Sequence, residues 1–113
     1  MILKHSRKQH AIGQGFFHSG VVAIEDNVFN YVYDCGSDYA EPINAAVTSY
    51  IDNLQQDFID ALFVSHLHFD HVSGLDRLLV SVRAKRVFLP YLSPHSRLLL
   101  VAAALDRDQL DLS

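Results

Sequence analysis

The stretch Ser65-His66-Leu67-His68-Phe69-Asp70-His71-Val72-Ser73-Gly74 places three imidazoles and a carboxylate within six residues. It follows directly on the apolar run Ile59-Asp60-Ala61-Leu62-Phe63-Val64. A short, continuous apolar run of that kind predicts a strand buried on both faces of a mixed or parallel sheet. Titratable chemistry at the mouth of a buried strand is the arrangement by which α/β proteins hold reactive loops on a rigid scaffold. Imidazole and carboxylate are also the preferred ligands of zinc and related divalent ions. A single histidine beside an apolar strand is ordinarily a packed or solvated residue, but four such groups in six positions call for a shared task.

Outward from this loop, strands and helices interleave. Upstream, Val21 to Ile24 and Val28 to Tyr33 are rich in β-branched and aromatic residues, and Glu25-Asp26-Asn27 between them is turn chemistry, which predicts a hairpin. Gly13 and Gly15 precede it and permit a tight bend or a close backbone approach. From Pro42 the period changes. Ile43, Ala46, Val47, Tyr50, Ile51 and Leu54 form one apolar stripe at helical spacing, with Pro42 suited to the first turn. Downstream, Leu75, Leu78, Leu79 and Val82 predict a second short helix. If that helix starts near His71 or Val72, its dipole would favour an anionic group at the loop. Arg86 to Leu89 reads as a strand, and Ser93-Pro94 as the start of a third helix with Leu98, Val101, Ala102 and Leu105 turned inward. The fold class is therefore α/β (α+β by some schemes), in one unit spanning residues 1–113 with helices packed on a sheet.

Composition sets the outer limits. Of the 113 residues 50% are hydrophobic and 19% charged, enough for a core of one ordinary domain. The formal net charge of -4 supplies no basic footprint for nucleic acid, although a cleft can differ from the whole. One cysteine, Cys35, excludes an internal disulfide and a cysteine-rich zinc module. There is no secretory signal pattern and no apolar run of the ~18 residues needed for a membrane span. A cytoplasmic protein with no membrane contact is the expectation.

The loop resembles the His-x-His-x-Asp-His signature of the metallo-β-lactamase superfamily, including the Ser before it and the Gly-Leu after it. Residues 12–37 are similar to that family's opening hairpin, with a Gly13-Gln14-Gly15 turn and an Asp-x-Gly strand end at Asp34, Cys35 and Gly36. The Gly-Gln-Gly form resembles most the branch containing competence-type DNA-uptake proteins and related nucleases. The resemblance implies half of an αββα sandwich, a mixed sheet with helices on one face. It implies two divalent ions, zinc before manganese or iron. His66 and His68 would hold the first ion and Asp70 and His71 the second. Asp70 would also orient or deprotonate the attacking water, and Asp34 would support the loop from behind. The implied reaction is attack of a metal-bound hydroxide on an ester, thioester, lactam or phosphodiester of a small molecule or nucleic acid.

The family completes its site with a further His, a bridging Asp and a final His from a second half. After His71 this chain has one more histidine, His95, at a helix start. It is expected as a surface residue, with a place at the cleft rim as the alternative. His18 is expected at a hairpin tip, and His5 and His10 in a solvated edge or tail. Asp106 and Asp108, and the run Arg83, Lys85 and Arg86, are expected to be solvated, and Cys35 to be a small buried residue. The half-sandwich would leave an apolar sheet face for a missing C-terminal half, a partner chain or a second copy. Alone, such a chain would be inactive, and a non-catalytic interaction or sensor module is the competing expectation.

Overall fold

A computed structural model describes residues 2–90, 93–99 and 102. Seven strands and three helices occur in the order β1 (Leu3–Gln9), β2 (Gly15–Ile24), β3 (Asn27–Ser37), α1 (Ala40–Asn53), β4 (Phe58–Ile59), β5 (Ala61–Phe63), α2 (Phe69–Val72), α3 (Leu75–Ser81), β6 (Arg83–Ala84) and β7 (Val87–Phe88). Residues 94–99 form a further helical segment. The main sheet runs β1-β2-β3-β5-β7, and a two-stranded sheet pairs β4 with β6. The first two pairings are antiparallel and those of β5 with β3 and β7 are parallel. The sheet is mixed, with α1 and α3 on one face, as the interleaved pattern predicts.

The helix-side core follows the residue periods. Phe17, Val32 and Leu62 point from successive strands to the same side, where Ile43 and Val47 of α1 and Leu78 of α3 cover them, all at 2% exposure or less. The opposite face carries a chain of rings. Phe16 meets Tyr33 edge-on at 5.7 Å, Tyr33 stacks near Phe63 at 6.3 Å, and Phe63 stacks on Phe88 at 4.9 Å. Tyr33 and Phe88 are exposed there, so the expected apolar face is present as an aromatic one.

Several elements differ from the sequence reading. The hairpin strands extend well beyond the predicted cores, to Gly15 and Ser37. β1 is a full edge strand paired along β2, although all seven of its residues are exposed. The predicted strand from Ile59 to Val64 is broken at Asp60, whose carboxylate accepts a hydrogen bond from Asn30 N at 2.7 Å and whose own N–H donates to Asn30 O at 2.8 Å. That exchange turns β4 toward β6 and β5 into the main sheet. Leu98 of the predicted third helix is exposed rather than inward. Val101, Leu105, Asp106 and Asp108 lie outside the described residues.

His10 overturns the expectation of a solvated tail. It is 6% exposed, stacks on Phe17 with centroids 3.9 Å apart, and its Nε2 lies 2.8 Å from Ser19 Oγ. Burial, then the charges of Lys8 and His18, lower its pKa from the ordinary 6.5 to about 4. The folded chain thus refuses a proton that the unfolded chain accepts between those two values, and stability conferred by neutral His10 is complete above 6.5 and lost as pH falls through 4. Urea unfolding at about pH 7 and about pH 5 should show a lower midpoint at the acid value. The gap should narrow in His10→Phe, which has no proton to take up; an equal gap in both proteins would rule His10 out as its source.

Candidate metal centre

The centre is built on a register fault. Phe17 pairs with Cys35 and His18 with Tyr33, so Asp34 is an extra, unpaired residue of β3. A bulge of this kind re-aims a side chain and bends its strand. Asp34 has φ +58, a left-handed conformation that Asp tolerates better than most residues. Two consecutive side chains, Asp34 and Cys35, are thereby buried at 1% and 0% exposure. The Cys35 thiol is pushed up to about 12 by burial and then by Asp34, so it is protonated and inert, as expected of a small buried residue.

From the bulge, the Asp34 carboxylate reaches the whole loop. Oδ1 accepts the Ser65 N–H at 2.7 Å; Oδ2 accepts the Ser65 hydroxyl and lies 2.7 Å from His71 Nδ1. Ser65 and His71 stand at opposite ends of the histidine cluster, so one buried group clamps both ends. Ser65 Oγ also lies 3.0 Å from His66 Nδ1.

Close backbone packing seats the loop further. Gly74 N donates to Cys35 O at 2.8 Å, while Ser73 Oγ donates to Ser37 O at 2.8 Å and accepts from Ser37 N at 2.9 Å. A Cβ on Gly36 would fall 2.4 Å from Val72 N, and one on Gly15 would fall 2.6 Å from Asp70 O. The Gly13-Gln14-Gly15 turn is therefore a buttress under the histidine loop. Gly15 sits at φ +146 and Gly13 at φ +76, where a side chain is rarely tolerated.

Asp70 and His71 lie inside α2, which starts at Phe69 with His68 at its cap. A single turn has little macrodipole, so the expected help from a helix starting near His71 does not arise. The rings of His66 and His68 are 5.9 Å apart between centroids, and those of His66 and His71 5.2 Å. Asp70 Oδ2 is 3.8 Å from His71 Nε2. Phe16 flanks the cluster, stacked 6.5 Å from His71. A recess of about 320 Å³ beside His66 and His68 is lined also by Pro90, Ser96 and Leu99. His95, on the same helical segment, is exposed and is not among the residues lining that recess. A separate recess of about 510 Å³, bounded by His10, Tyr50 and Asn30, shares no lining residue with the loop.

The remaining histidines belong to the sheet. His18 lies within β2 rather than at a tip, with Nδ1 3.2 Å from Gln9 Oε1, and His5 Nε2 lies 2.8 Å from Tyr31 Oη. Lys85 rests over the Phe58 ring at 4.0 Å. Sequence reasoning did not find Phe16, Ser37 or the bulge. The serines flanking the loop on both sides, Ser65 and Ser73, were the available signal.

The model of the metallo-beta-lactamase superfamily matches residues 15–92 of the 113. The chain belongs to this superfamily. The family is one of metal-dependent hydrolase type, and the mixed sheet with helices on one face is the corresponding half of its fold. No curated protein matches the chain. No helix among the described residues is long and apolar enough to cross a membrane.

Among the described residues no three His, Cys, Asp or Glu side chains converge closely enough to hold an ion. The donor chemistry nonetheless fits a divalent metal. An imidazole whose far nitrogen is anchored to a buried carboxylate, as His71 is to Asp34, presents its other nitrogen as a ligand. His66, His68, His71 and Asp70 are the residues that would hold it.

Proposed function

We propose that this chain supplies the metal-holding half of a superfamily hydrolase acting on phosphodiesters, with nucleic acid as the leading substrate class. The observation that supports this most is the double clamp of Asp34 on Ser65 and His71, which fixes both ends of the donor loop at one strand end. The phosphodiester choice rests on the Gly-Gln-Gly turn, whose backbone packs directly against Asp70. Two divalent ions, zinc first, would lower the pKa of a bound water toward neutrality and hold negative charge developing on the substrate. His66 and His68 would serve one ion and Asp70 and His71 the other. Asp70, 29% exposed at the loop surface, would orient or deprotonate the attacking water. Asp34 and the seated loop keep these groups in place beside Phe16, at one end of the aromatic face. That face is proposed as the seat of the second half, a partner chain or another copy, which would bring the remaining ligands. A cytoplasmic location fits the same reading.

Thioester or lactone hydrolysis is the nearest alternative within the same chemistry. A non-catalytic sensor or interaction module is a second reading, favoured by the confinement of the four donors to one loop. Turnover of a generic phosphodiester by the metal-supplemented protein, in its complete assembly, separates these. His68→Ala and Asp70→Ala should each lower kcat by at least about 100-fold, the scale of a removed acid–base group. Unchanged turnover in both variants would reject the hydrolytic role of the loop. Metal uptake without turnover of phosphodiester, thioester or lactone would favour the sensor reading.

A further inference from the structure

We propose that Ser65 is a positioning residue that relays Asp34 to His66, so that one buried carboxylate sets the tautomers of two imidazoles. The argument is a proton count. An ionised carboxylate only accepts hydrogen bonds. Asp34 Oδ2 therefore takes the single hydroxyl proton of Ser65 and, at 2.7 Å, the Nδ1 proton of His71. With its proton committed, Ser65 Oγ can only accept at its 3.0 Å contact with His66 Nδ1. His66 must then carry its proton on Nδ1 as well. The reverse assignment, with Ser65 donating to His66, would leave Oγ and Oδ2 facing each other as two acceptors beside a carboxylate that is 1% exposed.

Both rings thus keep Nε2 unprotonated, and their centroids are 5.2 Å apart. Metal-ligating imidazoles are held in this way, the second nitrogen donating to an oxygen that fixes ring and tautomer. One carboxylate does so directly for His71 and through a hydroxyl for His66. No comparable anchor holds either ring nitrogen of His68 among the described residues, so the relay distinguishes the three imidazoles. Its consequence for metal affinity rests on the function proposed above; the proton arrangement does not.

Nitrogen-15 spectra of the histidine side chains in the metal-free chain test the relay. They should be taken near pH 8.5, where an imidazole of ordinary pKa about 6.5 is neutral. His66 and His71 should both appear as the Nδ1–H form, against the Nε2–H form that free imidazole side chains favour. In Ser65→Ala, His66 should revert toward the Nε2–H form while His71 stays unchanged. Ser65→Thr, which restores the hydroxyl, should behave as wild type. Zinc affinity should fall about 10–100-fold in Ser65→Ala and recover in Ser65→Thr, the range for loss of an outer-sphere partner. A wild-type His66 in the Nε2–H form, or one unmoved by Ser65→Ala, would overturn the relay, and the wild-type spectrum decides this even if the variant does not fold. Correct tautomers in a chain that takes up no zinc would sustain the relay and fail the metal reading instead.

Discussion

Gly36→Ala should destabilise the chain by about 3 kcal/mol, at the upper end of what an extra methyl costs in a packed interior. The added Cβ would stand 2.4 Å from Val72 N, 2.5 Å from His71 C and 2.8 Å from Asp70 C, all backbone atoms of α2. No side-chain rotation relieves such contacts, so α2 would have to lift away from β3. Lifting it breaks the paired Ser37–Ser73 bonds and the Gly74 N–H bond to Cys35 O, each contributing about 1 kcal/mol. The check is urea unfolding, where the midpoint should drop by 1 M or more for a slope of about 1–3 kcal/mol per molar. A loss below about 1 kcal/mol would mean that α2 does not rest on Gly36, and the seating of the histidine loop would have to be redrawn.

Asp34→Ala should be at least as damaging, costing about 3–5 kcal/mol, the range for removing one member of a buried charge-assisted network. Three donors, Ser65 N, Ser65 Oγ and His71 Nδ1, would lose their acceptor together. The left-handed backbone at φ +58 adds strain for alanine that aspartate tolerates better. Asp34→Asn separates the two causes. The amide keeps the shape, the left-handed tolerance and one acceptor, but turns two protons toward His71 or Ser65. It should cost about half as much in stability, yet weaken zinc binding about as severely as the alanine variant. Thermal melts and zinc titrations of both variants provide the test. Equal stability of the alanine variant and wild type would show that the bulge, and not the carboxylate, holds the loop.

How far the sequence carried the reading depends on where each feature is encoded. The histidine loop, the hairpin, α1 and α3 were legible because their signals are local: a cluster at a strand mouth, turn residues between β-branched runs, and an apolar stripe at helical spacing. β1 was not, because its Lys4, His5, Arg7 and Lys8 are all exposed and an edge strand needs no apolar alternation. The break at Asp60 depends on Asn30, 30 residues earlier, and nothing near Asp60 signals it. The resemblance singled out Asp34, but the bulge that aims its side chain is a register relation between β2 and β3. His10 was misread for a related reason: the residues before it in sequence, Arg7, Lys8 and Gln9, are polar, while in space it stacks on Phe17 and meets Ser19.

Calorimetric titration of the metal-free chain with zinc addresses the central claim most directly. Wild type should bind zinc saturably, and His66→Ala and His71→Ala should each weaken binding by at least tenfold, about 1.4 kcal/mol. Val80→Ala, a change at an exposed position of α3 outside the loop, should leave binding unchanged. If wild type takes up no more zinc than a variant lacking all three loop imidazoles, then the clamp at Asp34 holds a packed corner of the fold and nothing that binds metal.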